Sequence, residues 1–498
     1  MECALQDLGC PDATLAAQLT DHVASIAIAW DAGHHPDVRR LAWQAGELLQ
    51  RICVSGLATV RTCEGFAYYA LHPLDYADLL HRTTIQHPHV IVIGLRSIGT
   101  TLSAVVAAKL RDLRLDVKRT TVRPAGHPYK RRCEFAARQA GQIRSALGAD
   151  ALFLVCDEGP GRSGSSLLSV AEALELEGVP QNRILLLCSH SPDVGALCAP
   201  DAMRRWARYG VMASGPTRRL PSEAGEYSGG GEWRKRFIQK GQTWPACWPR
   251  MERVTYLSRD RTQLLKFEGH GHYGAGARSR NQALAASGFG CPYRGQAVGF
   301  GRHVLREGRM AQPCDLNGRL LTHMAEYCAW RAKEFAAADA NAQELETMAR
   351  VNLKLEFGGV PELDLPLEKP VIVDGRMQPY QWLCTADGRW LKLDAATHGD
   401  DHFFPGPCDI AWDLAGAIVE WNLETSARTR LLKAYRRLSG DNASLRIHDY
   451  VTAYATFRLA WSQMAADSVE GSEERDRLAS DYRRYRAVAE AHKRRAPY

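Results

Sequence analysis

The chain has 498 residues, which is more than one ordinary hydrophobic core accommodates and predicts two or three domains. Hydrophobic residues make up 45% and charged residues 24%, as in a globular protein, and the formal net charge of +7 does not indicate a nucleic-acid partner. The 14 cysteines include no Cys-x-x-Cys pair, the N-terminus has no signal-peptide pattern, and no apolar stretch is long enough to span a bilayer, so we expect a cytoplasmic protein without a membrane segment.

Residues 1–80 are predicted to be a helical segment, because amphipathic stretches such as TLAAQLTDHVASIAIAW recur there. Between residues 81 and 213, apolar strands alternate with helices. The predicted order is VIVIGL, TLSAVVAAKLRDL, LDVKRTTVR, ALFLVCDE, SLLSVAEALELEG and RILLLCSH. That alternation is typical of a parallel α/β sheet.

Residues 214–249 are rich in Gly, Pro and charge and are predicted to be a linker. From residue 250 to 498 the pattern changes to short strands (RVTYLS, QLLKF), helices, a dense strand-and-loop region and further helices. The predicted fold class is therefore α/β, with a parallel-sheet domain followed by an α+β domain.

The stretch LFLVCDEGPGRSGSSLL, residues 152–168, is an apolar strand that ends in two acids and a glycine- and serine-rich loop before a helix. Anionic ligands bind at such strand-to-helix loops, because the helix offers N–H groups to phosphate. The alternative is a helix start with a serine cap and no ligand.

Together with VIVIGLRSIGTTL, this stretch resembles the paired loops of the type I phosphoribosyltransferases, which bind phosphoribosyl pyrophosphate (PRPP). The resemblance implies that Asp157 and Glu158 are catalytic and face the ribose hydroxyls. It implies a cradle for the 5′-phosphate formed by Gly161, Ser163, Gly164, Ser165 and Ser166. It places the pyrophosphate on Arg96, Ser97, Gly99 and Thr100, with Mg²⁺ bridging substrate oxygens.

In that family a mobile basic segment closes over the leaving pyrophosphate and excludes water. Here RTTVRPAGHPYKRRCEF occupies the corresponding place, with Arg123 and Lys130 as catalytic candidates alongside Arg131 and Arg132. The alternative is a solvated charged loop.

The stretch DGRMQPYQWLCTADGRWLKLDAATHGDDHFFPGPCDIAWDLAGA is similar to the active-site region of aminoglycoside-phosphotransferase-like kinases. The resemblance implies that Asp394 binds the metal, that Gln381 lies at the position of the metal-binding Asn, and that Lys266 in QLLKFEG holds the phosphates of ATP. Asp409, Trp412 and Asp413 fall on the closing helix.

The sequence departs from that family at residues that carry out its phosphoryl transfer. Arg376 occupies the position of the catalytic Asp, and an arginine cannot accept the proton of an acceptor hydroxyl. Asp374, two residues away, is the candidate substitute, and the helix after Lys266 offers no glutamate to pair with it. Either this half binds ATP without phosphoryl transfer, or it uses acids drawn from Asp374, Asp394, Asp400 and Asp401.

Two further clusters have competing interpretations. HGHYGAGAR, residues 270–278, is either a phosphate-binding loop or a turn. His398, Asp400, Asp401 and His402 form either a transition-metal site or a polar loop near magnesium.

The preferred hypothesis is phosphoribosyl transfer from PRPP to a small nucleophile, coupled to an ATP-binding kinase-like domain that phosphorylates a related metabolite. The alternative is a non-catalytic sensor of PRPP or nucleotide with an inactive kinase-like half. A third hypothesis, an RNA-associated protein, predicts binding that falls steeply with salt. Small-molecule substrates are the expected partners, and a homo-oligomer is left open.

Overall fold

The computed structural model of the chain describes residues 1–53, 62–83, 85–359, 363–399, 403–469 and 471–493. The chain divides into two compact units, Met1–Arg219 and Leu220–Tyr498, called here the first and the second unit. A parallel sheet lies in the first unit and an antiparallel sheet in the second, so the protein is of mixed α/β class. Among the described residues, no helix combines the length and the apolar character needed to cross a bilayer.

The first unit begins with helices and continues as alternating strands and helices. The initial helices are α1 (Glu2–Asp7), α2 (Ala13–Asp31), α3 (His35–Arg51), α4 (Glu64–Ala67) and α5 (Pro73–His81). They are followed by β1 (His89–Leu95), α6 (Ile98–Asp112), β2 (Asp116–Val122), α7 (Ala137–Gly148), β3 (Leu152–Cys156), α8 (Ser165–Leu176), β4 (Ile184–Cys188), α9 (Ala202–Trp206) and β5 (Gly210–Ala213). Helices α2 and α5 pack on α6 through small and aliphatic side chains.

The five strands of the first unit form one parallel sheet in the order β2-β1-β3-β4-β5. Every residue of β3 is buried, since helices cover both faces of the sheet and the strand is wholly apolar. The predicted parallel sheet is confirmed, and the predicted apolar runs form its central strands.

The second unit begins with a five-stranded antiparallel sheet in the order β6-β7-β8-β10-β9. Its first elements are β6 (Ala224–Tyr227), α10 (Trp233–Phe237), β7 (Thr255–Ser258), β8 (Gln263–Phe267), α11 (Ala275–Ser287), β9 (Tyr293–Ala297) and β10 (Phe300–Val304). The segment 214–249, predicted to be a linker, contributes both β6 and α10 to this unit. Cross-strand pairing with β7 orders it despite its loop-like composition.

The rest of the second unit is largely helical. Its elements are β11 (Gly308–Met310), α12 (Gly318–Glu334), α13 (Ala342–Phe357), β12 (Pro370–Val371), β13 (Trp382–Thr385), β14 (Trp390–Lys392), β15 (Cys408–Asp409), α14 (Ala411–Glu420), α15 (Thr425–Ser439), α16 (Ile447–Ser468) and α17 (Ser472–Lys493). Trp382 and Trp412 are fully buried in a core that α12, α14 and α16 also line. This core fixes the loops that follow β12 and β14.

Candidate ligand sites in the two units

The carboxyl ends of β1 and β3 lie side by side in the parallel sheet. The strand order reverses between them, because β2 pairs with one side of β1 and β3 with the other. Open α/β sheets bind ligands in the crevice at such a switch point. Residues 96–97 follow β1 and residues 157–164 follow β3, so the two predicted phosphate loops lie at the same edge of the sheet.

The two acids after β3 are held by backbone contacts from several elements. The Tyr76 hydroxyl donates to the Asp157 carbonyl at 2.6 Å, and the Ser189 amide donates to the Glu158 carbonyl at 2.7 Å. The Glu158 carboxylate accepts the Gly65 amide at 3.1 Å. Burial and the adjacent Glu158 raise the pKa of Asp157 to about 7, so the pair carries less than two negative charges near neutral pH.

Gly99 allows the two loops to touch. A Cβ atom at this position would lie 2.6 Å from the Cys156 carbonyl oxygen and 3.3 Å from Asp157 Oδ1. Any larger residue would therefore push the loop after β1 away from the acids. Gly99, which the resemblance placed among the pyrophosphate-binding residues, therefore has a steric role at the contact of the two loops.

The other polar residues of the first loop contact the N-terminal helix. Arg96 Nη1 donates to Asp7 at 2.7 Å, and Thr100 Oγ1 lies 2.9 Å from Cys3 Sγ. Ser97 is exposed immediately before α6. The sequence indicated the arginine but not its carboxylate partner.

The second loop is closed by two glycines with left-handed backbone, Gly161 at φ +55° and Gly164 at φ +68°. The hydroxyls of Ser163 and Ser165 both donate to the Pro128 carbonyl of the basic segment, with a distance of 2.9 Å for Ser163. Ser166 lies in the first turn of α8. The residues predicted to form a phosphate cradle therefore lie together in one loop and helix start, and two of their hydroxyls donate to the Pro128 carbonyl.

The basic segment after β2 forms a short hairpin closed by the antiparallel bridge between Ala125 and Arg132. Arg123 Nε donates to the Asp7 carboxylate at 2.7 Å, so Asp7 joins Arg123 and Arg96. The Lys130 side chain is exposed to solvent. Arg123 therefore lies with the first loop, while the hairpin contacts the second loop through Pro128.

In the second unit, Lys266 on β8 forms an ion pair with Asp394, which follows β14. Lys266 Nζ also lies 3.3 Å from Thr397 Oγ1, and His398 Nε2 lies 2.8 Å from Asp394 Oδ2. Burial alone would raise the pKa of Asp394, but Lys266 and His398 outweigh it and hold this pKa well below its ordinary value. Asp394 is therefore ionised at neutral pH, as a metal ligand must be.

The acid next to Lys266 in sequence has other partners. Glu268 is buried and accepts from Asn281 at 2.7 Å and from the Tyr293 hydroxyl at 2.8 Å, with His303 Nε2 also at 2.8 Å. Asn281 lies on α11, the helix that the sequence indicated to lack a glutamate partner for Lys266. Lys266 pairs across the cleft with Asp394 instead.

Asp374, predicted as a substitute catalytic acid, is completely buried. Its carboxylate accepts from the Tyr327 hydroxyl and lies 3.1 Å from Lys392 Nζ, and neither side chain of this ion pair is exposed. It does not line the cavity that Lys266, Asp394, Gln381 and Arg376 share. The geometry gives Asp374 a structural position, because a carboxylate that accepts a proton must reach the acceptor.

That cavity has a volume of about 270 Å³. Its charged lining consists of the cations Arg253, Lys266, Arg306, Arg376 and Lys392 and the carboxylates Glu252 and Asp394. Trp233, Phe237 and Trp248, from the segment predicted as a linker, form part of its apolar wall. The Gly, Pro and charged residues of this segment did not indicate that it lines a cavity. Three large aromatic side chains in so short a segment nevertheless indicate burial.

The structure describes the residue 270–278 loop and part of the residue 398–402 cluster. Residues Gly271–Gly274 form a 3₁₀ turn that leads into α11. Asp400, Asp401 and His402 lie outside the described residues, while His398 contacts Asp394. Among the described residues, no group of three or more side chains has the makeup of a metal site.

No protein-family model matches the chain, and a comparison with curated proteins found no match. Solved structures with partial similarity include the choline kinase LicA from Streptococcus pneumoniae, at 12% identity and a TM-score of 0.32, covering 51% of this chain and 92% of that one. A choline/ethanolamine kinase family protein from Mesorhizobium loti has 14% identity and a TM-score of 0.34 over 48% and 88% of the chains. Aminoglycoside 2′-phosphotransferase-IIIa has 11% identity and a TM-score of 0.33 over 52% and 96%. These values establish no family for the chain.

Proposed function

We propose that the second unit is a phosphotransferase that binds a magnesium nucleoside triphosphate in the cavity between Lys266 and Asp394. The observation that carries the proposal is the ion pair between these two side chains on the cavity wall. Kinases use a strand lysine for the nucleotide phosphates and an aspartate for magnesium. Lys266 would hold phosphate oxygens, and Asp394 with the amide oxygen of Gln381 would hold the metal, which prefers oxygen ligands.

The test is calorimetric titration of the full chain with Mg²⁺ and the non-hydrolysable nucleotide AMP-PNP. Lys266→Ala and Asp394→Asn are each expected to weaken binding by about tenfold or more, the effect of losing a hydrogen bond to a charged group. The matched controls are Lys333→Ala on α12 and Asp387→Asn in the β13–β14 turn, both exposed positions outside the cavity. Equal affinities in the site variants and the controls would contradict the proposal.

We propose phosphoribosyl transfer from PRPP as a second function, located in the first unit. The supporting observation is that Asp157 and Glu158 lie at the switch point of the sheet, directly against the glycine loop after β1. In this proposal the acids face the ribose hydroxyls, the second loop takes the 5′-phosphate, and Arg96 and Arg123 take the pyrophosphate. The basic hairpin would exclude water during transfer.

PRPP binding and pyrophosphate release test this second function. Asp157→Asn should abolish turnover while the chain remains folded, and Asp112→Asn, an exposed acid at the end of α6, is the matched control. Binding of PRPP without pyrophosphate release, with a panel of small nucleophiles, would favour the alternative of a non-catalytic sensor. Turnover retained by Asp157→Asn would refute the assignment of this acid.

A further inference from the structure

Arg376 lies on a loop whose backbone is fixed from two sides. The buried Asp413 carboxylate accepts the amide of Asp374 at 2.9 Å and the amide of Gly375 at 2.9 Å. Asp374 Oδ1 in turn accepts the Arg376 amide at 3.1 Å. Gly375 has φ +72°, a left-handed conformation that suits glycine, so the turn directly before Arg376 is well defined. Two buried acids thus hold the chain at Arg376.

The guanidinium of Arg376 lines the cavity and lies 5.6 Å from the centre of the Trp461 ring. Trp461 also packs against Trp248, so this part of the wall is aromatic. Among the described residues Arg376 has no carboxylate partner, whereas Lys266 is paired with Asp394 and Lys392 with Asp374. The half-buried guanidinium thus has an aromatic contact but no counter-charge among the described residues, and an anionic ligand in the cavity would supply one.

The carboxylates of the described lining are both engaged by other groups, and its two histidines, His303 and His398, are each bonded through Nε2 to a carboxylate. Its two carboxylates are Glu252 and Asp394. Glu252 accepts the Gly231 amide at 2.7 Å and the Trp233 indole N–H at 3.1 Å, and Asp394 is held by Lys266 and His398. A hydroxyl acceptor needs a base to take its proton, but an oxyanion has no proton to lose.

We infer that the phosphoryl acceptor of the second unit is an oxyanion, a phosphate or a carboxylate, bound by Arg376. The inference rests on the proposed phosphotransferase function. An anionic oxygen of the acceptor attacks the γ-phosphorus and forms a new P–O bond, while the bond between that phosphorus and the β,γ-bridging oxygen breaks. The electron pair leaves with the nucleoside diphosphate, and no proton is removed. Arg376 positions the acceptor and reduces its repulsion from the triphosphate.

The first measurement is release of ADP from Mg²⁺–ATP by the full chain, with ³¹P NMR of the products. The probes are inorganic phosphate and acetate as the two oxyanions, glycerol as a neutral hydroxyl compound and choline as a cationic one. Pyrophosphate formed from phosphate, or acetyl phosphate formed from acetate, identifies which oxyanion is accepted. Arg376→Gln should lower the oxyanion-dependent rate by about tenfold or more, with Arg376→Lys retaining part of it. Arg389→Gln, in the exposed β13–β14 turn, is the matched control.

Binding provides a second and independent readout. Phosphate and acetate are titrated into the protein with and without Mg²⁺–AMP-PNP, and Arg376→Gln should weaken binding of the accepted oxyanion by about tenfold. Transfer to glycerol or choline in preference to the oxyanions, or oxyanion binding that Arg376→Gln leaves unchanged, would overturn the inference. If the unaltered chain does not bind AMP-PNP, the phosphotransferase proposal is overturned instead. The titration without nucleotide then still shows whether Arg376 binds an oxyanion.

Discussion

Among single residues, Asp374 has an environment that indicates a contribution to stability rather than to proton transfer. It forms a 3.1 Å ion pair with Lys392 in which neither side chain is exposed. We expect Asp374→Ala to lower the free energy of unfolding by about 3–5 kcal/mol, because it leaves a buried lysine without its counter-charge. Urea unfolding measures this change. The double variant Asp374→Ala with Lys392→Met should recover much of it, since both charges are then absent. A variant of unaltered stability that loses only ADP release would restore Asp374 as a catalytic candidate.

Asp157 predicts a pH dependence of stability in the first unit. Its pKa is about 7 in the folded chain against an ordinary value of 3.8, so the folded state binds this proton more tightly than the unfolded state. Stability contributed by the protonated acid is therefore present below about pH 4 and is lost as pH rises through 7. Asp157→Asn should unfold at a higher temperature than the unaltered chain at pH 7, with the difference shrinking towards pH 4. Thermal melts at several pH values measure it, and a difference independent of pH would contradict the raised pKa.

The sequence indicated some residues of the site in the first unit and missed others. The missed residues are those whose partners lie far away along the chain. Asp157 and Glu158 follow a buried strand directly, so strand and loop patterns were sufficient to place them at the sheet edge. Tyr76 and Asp7 reach the same edge from helices more than 80 residues away in sequence, where no local pattern points to them. Tertiary packing alone brings them there.

At the scale of elements, α1 supplies a carboxylate where the sequence predicts a pyrophosphate. Asp7 accepts from Arg96 and Arg123, each at 2.7 Å. An anionic ligand of these arginines must compete with it, so Asp7→Asn should tighten binding of pyrophosphate to the full chain by about three- to tenfold. Calorimetry measures the affinity, with Asp37→Asn, an exposed acid of α3, as the control. Weaker binding in Asp7→Asn would show instead that Asp7 orients the two arginines.

The segment 214–249 makes tertiary contacts that its amino-acid composition does not predict. Its Gly, Pro and charged residues predicted a linker, yet Arg234 is buried and pairs with Glu474 on α17 at 2.7 Å. The partner of Arg234 lies 240 positions later in the chain, so no local sequence pattern could indicate this ion pair. The strands β7 and β8, by contrast, have local apolar patterns and were predicted correctly.

At the scale of the whole molecule, each candidate site is built from one unit alone. The acids and loops at the switch point belong to Met1–Arg219, and every residue that lines the cavity belongs to Leu220–Tyr498. The two sheets have different strand directions, and the two units have separate hydrophobic cores. The sequence predicts a division from its change in pattern at residues 214–249, and the first unit of the structure ends at Arg219.

This division predicts that the two ligands bind independently. Asp157→Asn should change the affinity for PRPP and leave that for Mg²⁺–AMP-PNP within about twofold, and Lys266→Ala should do the reverse, because substitutions without shared partners act additively. Titration of the unaltered chain, both variants and the double variant with each ligand completes the cycle. If saturating one ligand shifts the affinity of the other, the units are coupled, and the coupling must be equal in both directions. A reciprocal shift of tenfold or more, about 1.4 kcal/mol, would favour the sensor hypothesis, in which occupancy of one unit controls the other.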